Sequence, residues 1–246
     1  MMTMEVRALV LSAAVAAALI VRARRQRTST ITILGFGRLL SERSSRMTFP
    51  TLKNFRVVRL DGFRRVFAHS PGVFVSRGIT DKATLQLGSL SAEPCAGSSF
   101  IVTAFEVPDG GLGMDAFRER EEEFFLNMVP YKLLDGSSGG TGLLCQAGTD
   151  KAYIEQWGQA RFDEVYKSVG LDTCWGWSRT SGLRPCATYL RHCAIAAEKL
   201  GPLAHASFLD DTYLVDRSTT IRTYLAQHPE VMSELPPESL RERYGG

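Results

Sequence analysis

The sequence predicts an α+β fold: a compact mixed or antiparallel sheet followed by a helical C-terminal part. β-branched and aromatic runs broken by glycine turns fill the stretch from Ile31 to Gln146, and helical periodicity takes over after Asp150. Strictly alternating strand–helix units, the mark of a doubly wound parallel sheet, are absent. The chain has 246 residues, 44% of them hydrophobic and 22% charged, which is ordinary globular composition and room for one domain with an extension. That composition excludes a wholly disordered chain, a collagen-like fibre and a polytopic membrane protein.

Ala8–Val21 carries no charge, and Arg22, Arg24, Arg25 and Arg27 follow at once. As a helix this stretch would span about 21 Å, short of the roughly 30 Å hydrocarbon core. It reads as a short signal-anchor, an organelle-targeting leader or, with no good small-residue cleavage site to support it, a secretory signal. Membrane contact through residues 8–21 therefore stays open, and the body would be either membrane-anchored or delivered to an organelle. Residues 1–29 are expected to stand outside the globular core. The net charge of +3 comes from 29 basic and 26 acidic residues, and residues 1–28 hold five arginines against Glu5. The remainder is thus close to −1, with no surplus for a nucleic-acid-binding face.

Ile31–Leu34 reads as a strand entering a tight loop at Gly35-Phe36-Gly37. Val57–Leu60 and Val66–Phe67 read as two strands around a turn at Asp61-Gly62. Phe100–Val107 is the clearest strand, and Pro108-Asp109-Gly110-Gly111 breaks it. Met114–Met128 reads as a helix with Met114, Phe117, Phe124, Phe125 and Met128 apolar and six consecutive charges between them. Val129–Leu134 and Gly142–Gln146 read as strands around a glycine-serine turn. Lys151–Val169 has helical spacing. Pro185 opens a helix with Cys186, Leu190, Cys193, Ala197 and Leu200 on one face, and further helices are expected over Ala204–Leu214 and Ser218–Gln227. Pro229, Pro236 and Pro237 mark residues 229–246 as a flexible tail.

Five cysteines without CxxC spacing give neither a disulfide framework nor a zinc site, and the four histidines show no metal spacing. Trp175-Gly176-Trp177 reads as a loop packed onto the body. Three segments remain as chemical candidates. The loop Gly35-Phe36-Gly37-Arg38-Leu39-Leu40 would expose backbone N–H groups to a ligand, although Leu40 stands where a dinucleotide loop needs its third glycine. In the acidic run Glu119, Glu121, Glu122 and Glu123, Glu121 lies four residues from both Phe117 and Phe125, which places it on the apolar stripe of a helix. A carboxyl there must be paired or functional. Gly62-Phe63-Arg64-Arg65-Val66-Phe67 sets two arginines among aromatics, read as edge charges over core rings.

Together these segments resemble the γ-glutamylcyclotransferase-like superfamily, and in particular its ChaC-type branch. Phe36-Gly37-Arg38-Leu39 matches the family's Tyr-Gly-Ser-Leu loop. Gly62–Phe67 matches the Gly-Trp/Phe-Arg-Arg-x-Phe segment of the branch, and Arg120-Glu121 with Phe125 matches the Arg-Glu pair that carries the catalytic glutamate. The likeness covers roughly residues 31–135, with a vaguer one in Leu200-Gly201 and Tyr213-Leu214.

It implies a small, mixed, partly closed sheet or barrel with helices. The implied domains are a cyclotransferase-like body at 30–149 and a helical region at 150–228 packed on it. The implied activity is release of 5-oxoproline from a small γ-glutamyl compound, glutathione or a γ-glutamyl amino acid or amine, without a metal or organic cofactor. Glu121 would be general base and acid, in an apolar shell from Phe117 and Phe125. Phe36, Gly37, Arg38 and Leu39 would position substrate. Arg38 departs from the family's serine and Phe36 from its tyrosine. Arg38 is therefore expected at the pocket mouth, paired with a carboxylate of substrate or protein. The alternative is an inactive member of the fold acting as a binding or membrane-tethered adaptor module.

Overall fold

The computed structural model describes residues 29–244, so the apolar N-terminal segment lies outside the described residues. Six strands form one mixed sheet: β1 (Thr30–Gly35), β2 (Lys53–His69), β3 (Ser89–Pro108), β4 (Phe125–Lys132), β5 (Ser138–Gln146) and β6 (Thr212–Tyr213). Their order is β1-β3-β5-β4-β2-β6, with further pairings of β1 to β5 and β3 to β2. These extra pairings curl the sheet part of the way round without making a barrel, so of the two expected forms the partly closed sheet is the one present.

The long antiparallel ladder between β2 and β3 is its backbone. It runs from Lys53 opposite Glu106 to His69 opposite Ser89. Asp61-Gly62 does not turn the chain. It is a register shift inside one continuous strand, where Gly62 at φ 79° stands opposite the extra residues of β3, which lie between Pro94 and Ser99. The expected hairpin is therefore absent, and Phe63–Phe67 continues the same ladder past Pro94 to Leu90.

The expected Met114–Met128 helix is also shorter. Helix α3 covers Leu112–Arg120, and from Phe125 the chain is strand β4, paired residue by residue with β5 from Phe125↔Gln146 to Lys132↔Ser138. No glycine or proline marks the break, and the pairing with β5 overrides helical propensity.

Around the sheet lie α1 (Glu42–Thr48), capped by the Ser41 hydroxyl, and α2 (Gly72–Ser76). After the sheet come α4 (Asp150–Trp157), capped by Thr149, and α5 (Gln159–Val165). They build a satellite core in which Tyr153, Phe162 and Tyr166 pack with Val66 and Leu87. Helix α6 (Ala187–Lys199) buries Leu190, Cys193 and Ala197 against the sheet, as its spacing predicts. Then follow α7 (Pro202–Asp210), opened by Gly201 and Pro202, and α8 (Ile221–Gln227). The segment expected as a flexible tail carries secondary structure as far as Tyr244. Val231 is buried in a 3-10 turn, and α9 (Arg241–Tyr244) buries Tyr244.

His192 on α6 is buried, with its Nε2 3.4 Å from the Ser44 hydroxyl and its ring edge-on to Tyr244. Burial, helped by the Arg38 charge, lowers its pKa to about 4. As pH falls below the ordinary histidine value of ~6.5, the unfolded chain takes up a proton that the folded chain refuses. Stability should therefore drop between about pH 6.5 and pH 4, by roughly 3 kcal/mol from this group. Urea unfolding at pH 7 and pH 4 should show a smaller loss in His192→Gln than in the parent chain.

Candidate active site

The loop after β1 is built by close contacts that only glycine permits. A Cβ on Gly35 would stand 2.6 Å from both the Leu39 Cβ and the Thr103 Oγ1, and one on Gly37 would strike the Tyr189 hydroxyl. The chain then makes a 3-10 turn over Arg38–Leu40. Its carbonyls are drawn inward. The Thr103 hydroxyl donates to the Gly35 and Leu39 oxygens at 3.2 and 2.9 Å, and the Ser45 hydroxyl also donates to Leu39. Arg65 Nη1 donates to the Phe36 oxygen at 3.0 Å.

Arg65 is thus no edge charge. It is 1% exposed, lies between the Phe100 and Phe208 rings at 5.0 and 4.7 Å, and also donates to Thr212, Ile101 and Ser207. Burial lowers its pKa to about 10, so the side chain keeps its charge at neutral pH. Its neighbour Arg64 is no edge charge either: β2 pairs here with both β3 and β6, and Arg64 is paired with Glu93 at 2.5 Å across the β2–β3 ladder; Glu93 also binds Arg217.

A cavity of about 110 Å³ opens over this loop, lined by Gly35–Leu39, by Glu121, Glu123 and Phe124, by Tyr189, and by Arg243 and Tyr244. It is small beside the ~300–1,000 Å³ of drug-sized ligand sites, a scale that suits an amino-acid-sized group. Glu121 reaches it as the C-cap of α3, not from a helical stripe. Phe117 is buried, but Phe125 is 42% exposed on β4, and Phe124 takes its place on the cavity wall.

The three glutamates of the turn go three ways. Glu121 accepts from Arg120 Nε at 2.9 Å. Glu122 accepts from the Tyr153 hydroxyl and pairs with Arg161 at 3.0 Å. Glu123 sits 3.2 Å from His69 Nε2 and accepts from the Tyr166 hydroxyl. Their side chains are 19%, 12% and 14% exposed respectively, so Glu121 is slightly the most open of the three, and Glu123 shares the cavity with it.

Arg38 is partly buried on the cavity wall and donates to the Ser44 carbonyl at 3.3 Å. Among the described residues it has no carboxylate within ion-pair distance; the cation on Glu121 is Arg120. Burial, with Arg120 and Arg243 close by, lowers the Arg38 pKa to about 10 despite the opposing pull of Glu121.

Sequence reasoning missed the support behind Glu123. His69 stacks on Trp175 at 4.3 Å, Trp175 Nε1 donates to the Glu123 carbonyl, and Trp177 Nε1 donates to Ser70. The Trp-Gly-Trp loop was legible as packing, while its target was not, because 52 residues separate Trp175 from Glu123. Cys145 also faces the cavity, but burial and the nearby Glu121 hold its thiol well above the usual range, so it is no nucleophile.

No protein-family profile matches the chain, and no curated protein does. Three solved structures share a similar course. An uncharacterised human protein is 13% identical, with a TM-score of 0.45 over 70% of this chain and 80% of that one. A γ-glutamyl cyclotransferase is 12% identical, with a TM-score of 0.37 over 58% and 89%. A yeast γ-glutamyl cyclotransferase specific to glutathione is 13% identical, with a TM-score of 0.41 over 83% and 96%. Likeness at this level assigns neither a substrate nor a residue role, so the functional reading rests on the chain's own residues.

Proposed function

We propose that the chain is a γ-glutamylcyclotransferase-like enzyme that releases 5-oxoproline from a small γ-glutamyl compound, glutathione or a γ-glutamyl amino acid or amine. The observation that carries this reading is a convergence. The three segments on which the sequence resemblance rests are far apart in the chain, yet Phe36–Leu39 and Glu121 line one cavity and Arg65 pins the loop from behind.

In this reading the substrate's α-amine attacks its own γ-carbonyl carbon. A carbon–nitrogen bond closes the five-membered ring, and the bond to the leaving amine breaks. Glu121 accepts a proton from the α-ammonium before the attack, the ring nitrogen gives up a second as the lactam forms, and both pass to the leaving nitrogen, which departs as an ammonium. The backbone of Phe36–Leu39 holds the γ-glutamyl chain folded, which supplies rate by proximity. Donors around the loop face the oxygen that gains charge.

The test is direct. The purified chain is incubated with glutathione, γ-glutamylalanine and γ-glutamylethylamide, and 5-oxoproline is measured by chromatography with mass detection. Release from at least one is expected; release from none leaves the inactive binding module. Arg38→Ser removes a cation from the loop, so it should raise KM by about tenfold or more, and more than it lowers kcat. Steady-state kinetics that match the parent chain would remove Arg38 from the substrate site and leave it as a brace on the Ser44 carbonyl.

A further inference from the structure

Three arginines from three separate elements line the cavity: Arg38 from the glycine loop, Arg120 from the end of α3 and Arg243 from α9. Among the described residues only Arg120 of the three meets a carboxylate, and its Nη2 is buried there without an acceptor. Arg38 reaches a single carbonyl. Arg243 Nε is buried and also lacks an acceptor among the described residues. Helix α9 sorts its side chains sharply: Arg241 and Glu242 are exposed, while Arg243 turns inward beside buried Tyr244. Buried guanidinium N–H groups without acceptors are costly to keep, and guanidinium is the side chain best shaped to hold a carboxylate by two parallel hydrogen bonds.

The count of charges is informative. Three guanidinium groups face two carboxyl groups, Glu121 and Glu123. The γ-glutamyl part of any such substrate brings one carboxylate and one ammonium, which the loop arginine and Glu121 are placed to meet. Arg120 is held by Glu121. One guanidinium is left over, and it comes from outside both the loop and the glutamate turn. Resting on the cyclotransferase reading, we infer that the cavity selects γ-glutamyl compounds whose leaving amine itself carries a carboxylate, and that Arg243 is the specificity residue that receives it. Compounds with a neutral or cationic leaving amine leave Arg243 unpaired and are poor substrates.

The test compares γ-glutamylglycine with γ-glutamylmethylamide, which differ only in that carboxylate. The parent chain should favour γ-glutamylglycine by at least about tenfold in kcat/KM. Arg243→Gln should bring the ratio close to one, chiefly through KM for γ-glutamylglycine, and Arg243→Lys should restore part of it. Equal rates in the parent chain, or an unchanged ratio in Arg243→Gln, overturn the inference and leave the cyclotransferase reading standing. If neither compound is cyclised, calorimetry decides. Binding of γ-glutamylglycine weakened about tenfold by Arg243→Gln, with γ-glutamylmethylamide unaffected, keeps the carboxylate assignment while the activity falls; no difference in binding overturns both. If circular dichroism shows Arg243→Gln unfolded, the parent ratio and Arg243→Lys carry the decision.

Discussion

Glu121→Gln should lower 5-oxoproline release by about 10²–10⁴-fold, the range for removing a positioned general base, while the domain stays folded. Two features separate the chemical effect from a structural one. Glutamine keeps the size of the side chain and can still accept from Arg120 Nε, so the contact at 2.9 Å survives in neutral form. The pair is also partly open to water, with the two side chains 28% and 19% exposed, and such pairs contribute little to stability, about 0–1 kcal/mol. A melting temperature within a few degrees of the parent is therefore expected alongside the lost activity. Glu123→Gln is the control that gives the assignment its content. Glu123 lies on the same cavity, but its oxygens are occupied by His69 and Tyr166, an arrangement that fixes a carboxyl in place and leaves it less free to exchange a proton with a ligand. If Glu123→Gln silences the chain and Glu121→Gln does not, the base is Glu123, and the Arg120-Glu121 pair is a positioning device.

Local signals read well where local forces decide. The strand into Gly35 and the helix over Ala187–Lys199 follow from apolar spacing and glycine turns, and the sequence showed them with small shifts at the ends, whereas β4 and β5 each begin four residues before the expected Val129 and Gly142. Asp61-Gly62 misled because the residues that favour a turn also suit a bulge. Whether the chain reverses there or runs on is set by what it pairs with, and β3 offers a partner along the whole of β2. The acidic run misled for a related reason. Its residues suit a helix, but β5 claims the chain from Phe125 onward. Glu121 was picked out by a helical stripe that is not there, so its place on the cavity comes from the resemblance and from the turn, and the periodicity argument did not earn it. Arg243 had no signal at all in the sequence. Prolines made its neighbourhood look loose, and nothing short of the packed fold brings residue 243 to residue 38. The partners of Arg65, up to 147 residues away, were invisible in the same way.

Replacing Arg65 should sharply lower the stability of the body. The side chain is buried, has no carboxylate partner, and gives its N–H groups to the Thr212 hydroxyl at 2.7 Å and to the carbonyls of Phe36, Ser207 and Ile101 at 3.0, 3.2 and 3.4 Å. Two phenylalanine faces take up the rest of the charge. Arg65→Met roughly fills the space but strands four acceptors in a dry interior, and Arg65→Ala adds a cavity to the same loss. Losing the four hydrogen bonds of this buried guanidinium and leaving their acceptors dry costs about 3–5 kcal/mol. For a domain of this size that is a fall of roughly 10 °C or more in Tm, measurable by calorimetry. The position of the loss carries the functional consequence. Arg65 joins β2 to the glycine loop through the Phe36 carbonyl and to α7 through Ser207, so it is the brace between the sheet and the loop of the cavity. Arg65→Lys keeps the charge but cannot span those acceptors, because one ammonium replaces a planar fork. It should fold at 20 °C, melt several degrees lower than the parent, and lose activity through a raised KM as the loop loosens. A lysine variant with the parent's Tm and KM would mean that the loop is held by Thr103 and Ser45 alone.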